Sequence, residues 1–230
     1  CSSRLKIDPV GLGVLEWLKM RSKKDGSFLK VLMYYVYLLT AWGLFRLLIR
    51  LPEVIEELWF KPVVWMLPLW WLWSREKRRV NLFKGSVKGA LVWGMSLGLL
   101  YGLVAWLAGL SKYGEIRLDS EVMGWLDVVG IGLVTAVTEE VVFSGYLLQK
   151  IKGFVVSEWV AITLTGLGFA LLHLPIAIFV YGYGGGEMLG FLVVIMLMAM
   201  GNYWVMMRTR NVIAPILSHW WWGVAIYMFG

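Results

Sequence analysis

Long runs of apolar residues, separated by short basic or glycine-rich segments, make up most of the 230-residue chain. A membrane-spanning helix needs about 20 mostly apolar residues. The stretches that reach this length are residues 28–49, 54–73, 87–110, 122–148, 155–181, 187–207 and 211–230. The second is the weakest, because Glu56, Glu57 and Lys61 lie inside it. The pattern predicts an all-α fold: a polytopic helical membrane bundle of about seven transmembrane helices.

Basic residues fall on alternate sides of these spans. Of the 22 Lys and Arg residues, seventeen precede the first span or follow the second, fourth and sixth, and five lie on the other side. Loops rich in Lys and Arg stay in the cytoplasm, so the N-terminus is predicted to be cytoplasmic. Residues 10–24 predict a helix along that interface, with a solvated basic lead-in as the alternative. The small-residue pairs Gly94–Gly98 and Gly102–Gly109 predict close helix packing.

The composition supports a membrane protein. Hydrophobic residues make up 60% of the chain and charged residues 16%, whereas soluble domains have about 45–50% and about 25%. The net charge of +7 follows the predicted topology, so it suits anionic lipid headgroups better than nucleic acid. A single cysteine excludes an internal disulfide. We predict a multi-pass protein of the cell membrane, with lipids and not nucleic acid as partners.

Ionisable residues inside predicted spans are costly, and by default they mark functional sites. Asp127 lies toward the non-cytoplasmic end of its span, and we predict an interfacial or capping role for it. The others are Glu139 and Glu140 in the fourth span, His173 in the fifth and His219 in the seventh. The distances of these residues from the basic loops predict that the three spans place them at a similar depth in the membrane.

Such a cluster can do three kinds of chemistry. A carboxylate paired with a histidine can hold and deprotonate a water molecule. Two histidines and a glutamate can instead bind a divalent metal such as zinc, with Glu139, His173 and His219 as ligands. A proton or ion pathway would use the same residues. The cluster alone therefore leaves an enzyme and a transporter both open.

Three short motifs resemble the CAAX-protease and bacteriocin-processing family of intramembrane proteases, also called Abi. The family's motifs are EExxxR, FxxxH and HxxxN (or HxxxD). Here EEVVFS begins at Glu139, FALLH runs from Phe169 to His173, and APILSHWWWG carries His219. The likeness covers about residues 134–224. It implies a catalytic core of about four transmembrane helices in residues 121–230, after an N-terminal interfacial segment and about three helices in residues 1–120.

The resemblance implies an intramembrane endopeptidase that cleaves a peptide or lipidated-protein substrate. Glu139 would be the general base, His173 would bind the water or a metal, and Glu140 would support the site. His219 would stabilise the oxyanion or complete a metal set. The family likeness leaves zinc and metal-free hydrolysis as alternatives.

Two positions depart from the family motifs. Ser144 stands where Arg is expected, and Gly223 stands where Asn or Asp is expected. Ser144 can donate one hydrogen bond to Glu140 but cannot neutralise it as a bidentate Arg would. Gly223 supplies no side-chain donor, and the candidates to replace that donor are Asn202, Asn211 and the indole N–H groups of Trp220–Trp222. The alternative functions are a weak or inactive family member serving as a membrane scaffold or immunity protein and, more distantly, a proton-coupled transporter.

Overall fold

The computed structural model describes residues 9–49, 51–76, 80–114 and 122–229, with side chains from residue 28 onward except those of residues 122, 123, 126 and 127. Asp127 therefore lies outside the described side chains. The described residues form seven helices, and this confirms the all-α prediction. They are α1 (Pro9–Leu48), α2 (Glu53–Ile55, Glu56–Phe60 and Lys61–Ser74), α3 (Val87–Tyr113), α4 (Val122–Glu140, Val141–Leu147 and Leu148–Lys152), α5 (Glu158–Leu172 and Leu174–Phe179), α6 (Gly185–Thr209) and α7 (Ile213–Phe229).

Five of the described helical stretches are long and apolar enough to cross a membrane: Phe28–Leu48, Val87–Tyr113, Val128–Lys152, Glu158–Phe179 and Gly185–Thr209. The fold is thus a polytopic helical bundle. Helix α2 has the length of a span but carries four charged residues near its start. Helix α7 is very apolar but has only 17 described residues. The prediction of seven spans is therefore confirmed for five helices, and the cytoplasmic N-terminus stays a prediction.

Two helices contain a π-helical stretch with widened turns. In α2 this stretch is Glu56–Phe60, directly before Lys61, and in α4 it is Val141–Leu147, directly after Glu140. Such turns rotate the residues that follow relative to a regular helix, and they are frequent at functional sites. The two π-helical stretches thus flank the ionisable residues of both helices.

Helix α7 packs most extensively against α3 and also contacts α4 and α6. Glycines permit the close contact with α3: a Cβ at Gly94 would lie 2.6 Å from the backbone oxygen of Ala214, and one at Gly98 would lie 2.7 Å from the Cβ of Trp221. The close packing predicted from the Gly94–Gly98 spacing is therefore confirmed. Gly102 differs, because a Cβ there would meet nothing within 4 Å.

One buried apolar cluster joins α1, α2, α4, α5 and α6, and includes Leu38, Trp65, Phe143, Phe169 and Tyr203. The cluster contains residues from both sides of position 120, where the sequence predicts a boundary between an N-terminal part and the catalytic core. That boundary stays a prediction. Large apolar side chains also remain exposed on the outer faces of α3 and α6, among them Leu99, Leu103 and Leu197. This is the distribution expected for helices that face lipid.

The loops at one end of the bundle are joined to each other. Phe83 forms an isolated antiparallel bridge with Asn211, and the N–H of Gly85 donates to the carbonyl of Arg210 at 3.0 Å. Lys150 forms an ion pair with Glu76 at 2.5 Å. We call this end, which comprises the α2–α3, α4–α5 and α6–α7 connections, the basic end.

Candidate active site

The adjacent residues Glu139 and Glu140 serve two different parts of the molecule. Consecutive residues of an α-helix are rotated by about 100° from each other. Glu139 lines a cavity between the helices, whereas Glu140 is 1% exposed and bonds to side chains of the interior. The pair is therefore one cavity carboxylate followed by one core carboxylate.

The carboxylate of Glu139 is paired with a lysine from α2. Lys61 Nζ lies 2.5 Å from Glu139 Oε1 and 2.8 Å from Glu57 Oε2. The hydroxyl of Thr135, one turn before Glu139, donates to the same Glu57 oxygen at 2.7 Å. A buried charge without a partner is strongly destabilising. The pairing with Lys61 is what allows two carboxylates to be buried here together.

Aromatic rings surround the cations of this cluster. Lys61 Nζ lies 5.5 Å from the ring centre of Trp42 and 5.3 Å from that of Trp65. Arg46 stacks 4.7 Å from the ring centre of Trp42 and donates to Glu56 Oε2 at 2.9 Å. Cation–π contacts gain strength when they are desolvated. Helices α1 and α2 thus contribute a buried, ion-paired wall to the cavity.

Four side chains surround Glu140. His219 Nδ1 lies 2.8 Å from Oε1, and the amide Nδ2 of Asn202 donates to the same oxygen at 2.9 Å. The hydroxyl of Ser144 donates to Oε2. Ser218 in turn donates to Asn202 Oδ1 at 2.7 Å. The expected hydrogen bond from Ser144 to Glu140 is present. Asn202, a candidate replacement for the donor missing at Gly223, bonds to Glu140 and is not among the residues that line the cavity.

His219 connects the two glutamates. Its Nδ1 faces Glu140, and its Nε2 lies 3.5 Å from Glu139 Oε2. Because a carboxylate accepts hydrogen bonds, the Nδ1 atom carries a proton that it donates to Glu140. The interior carboxylate thereby fixes the orientation of a ring whose other nitrogen faces the cavity.

His173 sits at a break in α5 that the sequence places inside a single span. Pro175 has no N–H to donate, which interrupts the helical bonding just after His173. The N–H of His173 bonds to the carbonyl of Ala170 at 2.9 Å. The carbonyl of Phe169 accepts a hydrogen bond from Nδ1 of the His173 imidazole, at 2.9 Å. This bond leaves Nε2 as the lone-pair nitrogen.

The cavity has a volume of about 750 Å³, and its lining includes three of the four predicted site residues, Glu139, His173 and His219. The fourth, Glu140, lies behind His219 in the interior. The convergence predicted for the three spans is therefore present. The apolar part of the lining comes from α1, α2, α5, α6 and α7 and includes Trp42, Trp65, Leu172, Phe191, Val194, Met198, Trp222 and Ile226.

The residues present do not fit the metal site that the sequence left open. Among the described residues, no group of three or more His, Cys, Asp or Glu side chains is arranged to hold a metal ion. The ammonium of Lys61 occupies one oxygen of Glu139. A cation at Glu139 would compete with Lys61 for the same carboxylate.

The charged wall formed by Arg46, Glu56, Glu57 and Lys61 was missed by sequence reasoning. All four residues lie inside the first two predicted spans. The charge count assigned Arg46 and Lys61 to the non-cytoplasmic side, because each lies near the end of a span. The available signal was the i, i+4 spacing of Glu57 and Lys61 within an apolar stretch, which indicates a paired intramembrane charge.

The fold and the site together define an integral membrane protein with a buried carboxylate–histidine centre that opens into a cavity. Residues 121–225 match the family model of type II CAAX prenyl endopeptidase Rce1-like proteins. Over this segment the chain resembles the Rce1-like family, and the resemblance drawn from the three motifs is confirmed. None of the curated proteins and none of the solved structures gives a match to the chain. Lys61 and Glu57 lie outside the matched segment.

Proposed function

We propose that the protein is an intramembrane endopeptidase that hydrolyses a peptide bond within the cavity. The observation that carries the proposal is that Glu139, His173 and His219, which come from three different helices, line one cavity. The family description names a CAAX prenyl endopeptidase, so a lipidated peptide is the first substrate class to test. The apolar lining suits an acyl or prenyl chain beside the peptide.

The proposed nucleophile is a water molecule held by Glu139 and His173. Oε1 of Glu139 bonds to Lys61, so Oε2 is the oxygen that accepts a proton from the water. Nε2 of His173, which keeps its lone pair because Nδ1 donates to Phe169, accepts the second hydrogen bond. With both protons held, a lone pair of the water oxygen is directed at the substrate carbonyl carbon.

Bond making and breaking then balance within the site. The water oxygen forms a bond to the carbonyl carbon, the C=O electron pair moves onto the carbonyl oxygen, and Glu139 takes the proton. The tetrahedral intermediate collapses as the C–N bond breaks, and Glu139 returns the proton to the leaving nitrogen. The products are a carboxylic acid and an amine.

His219 is proposed to stabilise the oxyanion. When both of its nitrogens carry a proton, Nδ1–H donates to Glu140 and Nε2–H is free to donate to the carbonyl oxygen as negative charge develops there. Glu140 is a positioning residue in this proposal, because it bonds to His219 and does not line the cavity. Lys61 compensates the buried charge of Glu139, so the proposed hydrolysis is independent of a metal.

The proposal is tested with purified protein and a lipidated peptide substrate. Glu139→Gln and His173→Ala are each expected to lower kcat by about 10²–10⁴-fold, the usual contribution of a positioned acid or base. Glu158→Gln is the matched control, because Glu158 pairs with Lys152 on the exposed surface. Unchanged cleavage in both site variants would contradict the proposal. Function in cells that survives Glu139→Gln would favour the membrane scaffold.

A further inference from the structure

A second cavity lies outside the candidate active site, between α1, α4 and α5. Its volume is about 200 Å³. Among the residues that the structure describes, none lines both cavities. Helix α1 contributes one face, at the spacing i, i+3, i+4 and i+7, with Phe28, Val31, Leu32 and Tyr35. These residues extend over about 10 Å of the helix axis. We call this cavity the α1–α5 crevice.

The crevice has a buried floor and an exposed rim. Phe143 and Leu147 of α4 line it and are buried. At the rim, Phe28, Leu32 and Leu164 are each about half exposed. Both α1 and α5 contain a stretch that is long and apolar enough to cross a membrane. The rim of the crevice therefore faces the hydrocarbon of the membrane.

The lining of the crevice suits a hydrocarbon and not a polar ligand. Its hydroxyl groups belong to Tyr35 and Thr165, and each already donates to a backbone carbonyl. Tyr35 donates to Gly168 at 2.7 Å, and Thr165 donates to Ala161 at 2.7 Å. An apolar cavity of about 150 Å³ stays dry and can bind a molecule as large as benzene. The α1–α5 crevice is thus large enough for a segment of a hydrocarbon chain.

Basic residues precede the crevice in the sequence of α1. Arg21 and Lys24 lie seven and four positions before Phe28, which is the spacing of one helix face. The crevice starts at the basic end, where the rings of Phe28 and Phe154 contact edge to face at 5.6 Å. A chain that enters the crevice there has its headgroup at the level of the basic residues. Basic residues near a membrane surface attract anionic headgroups.

The floor of the crevice lies behind the candidate active site. The ring of Phe143 contacts that of Phe169 edge to face at 4.9 Å, and the Phe169 ring lies 4.6 Å from the ring of His173. Gly168, which accepts the hydrogen bond from Tyr35, directly precedes Phe169. An occupant of the crevice therefore contacts the residues that support the aromatic ring beside His173.

We propose that the α1–α5 crevice binds an acyl chain of an anionic membrane phospholipid. The chain packs against Phe143 and Leu147, and the headgroup lies at the basic end. Lipid binding does not depend on the proposed endopeptidase function, because the crevice is separate from the cavity that holds Glu139 and His173.

Photocrosslinking of the full chain tests this proposal. The protein is reconstituted in phosphatidylcholine vesicles that contain a small share of phosphatidylglycerol with a diazirine in its acyl chain, and crosslinked peptides are mapped by mass spectrometry. We expect crosslinks within residues 28–35 and 161–168, and we expect excess unlabelled phosphatidylglycerol to compete for them. Equal crosslinking of the outer face of α3 at Leu99 and Leu103, without competition, would show bulk lipid only and overturn the proposal.

A bulky side chain at the rim should block the crevice. Leu164→Trp is expected to lose most of the crosslinking within residues 28–35. It should also lose most of the rise in unfolding temperature that phosphatidylglycerol gives over phosphatidylcholine. Leu167→Trp is the matched control and should keep both effects, because Leu167 is similarly exposed on α5 but does not line the crevice. Equal crosslinking of the two variants would overturn the proposal. Leu32→Trp with Met33→Trp as its control is a second pair in case Leu164→Trp does not fold.

Two further comparisons identify the occupant. Replacing Arg21 and Lys24 together by glutamine should remove the preference for phosphatidylglycerol over phosphatidylcholine, and an unchanged preference would contradict the assigned anionic headgroup. An excess of a farnesylated peptide should leave the lipid crosslinks unchanged. Displacement of the lipid by that peptide would assign the crevice to the substrate chain and overturn the proposal. Cleavage of the same peptide is measured separately, so the outcome for the endopeptidase proposal is distinguishable.

Discussion

Lys61 Nζ lies 2.5 Å from Glu139 Oε1, although the two residues are 78 positions apart in the chain and on different helices. The contact joins a helix outside the family-matched segment to the first residue of the family's glutamate motif. Ser144 stands where the motif has Arg and bonds to Glu140, whereas Lys61 of α2 pairs with the neighbouring Glu139.

Replacing Lys61 by methionine would leave the carboxylates of Glu57 and Glu139 buried without their cation. We expect Lys61→Met to lower the free energy of unfolding by about 3–5 kcal/mol, the usual cost of removing one partner from a buried ion pair. Thermal unfolding in detergent measures this change. Lys61→Arg is the matched control and should retain most of the stability, because it keeps the charge.

A double variant separates stability from chemistry at this ion pair. Lys61→Met with Glu139→Gln removes both charges, so we expect part of the lost stability to return while cleavage stays absent. The coupling energy follows from the double-mutant cycle. Equal unfolding temperatures for Lys61→Met and the unchanged protein would show that the ion pair does not stabilise the fold.

Position 144 is predicted to tolerate a smaller side chain but not the family's arginine. Ser144→Ala should cost about 1–2 kcal/mol of unfolding free energy, because Asn202 and His219 still bond to Glu140. Ser144 is completely buried, so Ser144→Arg would have to displace packed neighbours and should destabilise more. An activated and stable Ser144→Arg variant would contradict this packing argument.

Introducing asparagine at position 223, where the family motif has Asn or Asp, should restore the missing hydrogen-bond donor. A Cβ at Gly223 would meet nothing within 4 Å, and the position lies one helical turn after His219, beside the cavity-lining Trp222. We expect Gly223→Asn to fold and to raise kcat by supplying a further donor, by at most about 10²-fold, since one oxyanion donor accounts for about 10²–10³. Gly223→Ala is the matched control, because alanine adds a Cβ without a hydrogen-bond donor. Equal kcat values for Asn and Ala at this position would argue against a missing donor.

Chelation should leave the proposed cleavage unchanged. Because Lys61 already pairs with Glu139, we expect the same rate of cleavage after treatment with EDTA or 1,10-phenanthroline. Elemental analysis of the purified protein should find no stoichiometric zinc. Activity that is lost on chelation and restored by zinc would instead support Glu139, His173 and His219 as metal ligands.

The contact between α3 and α7 makes a stability prediction away from the site. A Cβ at Gly98 would lie 2.7 Å from the Cβ of Trp221, whereas one at Gly102 meets nothing within 4 Å. Gly98→Ala should therefore lower the free energy of unfolding by about 1–3 kcal/mol through overpacking. Gly102→Ala should be neutral or slightly stabilising, because alanine favours the helix. Denaturation of both variants in the same detergent compares them directly.

The helices were predictable because apolar length is a local property of the chain. The predicted span 187–207 corresponds to helix Gly185–Thr209, and the weakest prediction, 54–73, corresponds to the helical run that ends at Ser74. The break at His173 was not predicted, although Pro175 is its local cause, because hydropathy does not register a missing N–H. The two π-helical stretches likewise leave no trace in hydropathy.

The site was predictable only where a motif or an isolated charge marked it. Glu139, His173 and His219 stand out in apolar spans, and the structure places them around one cavity. Lys61 did not stand out, because a lysine near a span end normally belongs to a loop. Its role depends on Glu139, which only the folded chain brings within reach. The roles of these residues in hydrolysis stay predictions.

The division of labour between Glu139 and Glu140 has an evolutionary consequence. Glu139 faces the cavity and is balanced by Lys61, so a lineage that abandoned hydrolysis could exchange both for uncharged residues. Glu140 would have to stay for as long as His219 and Asn202 depend on it in the interior. Loss of activity would therefore permit substitutions at position 139, whereas position 140 would stay glutamate for as long as the fold is kept.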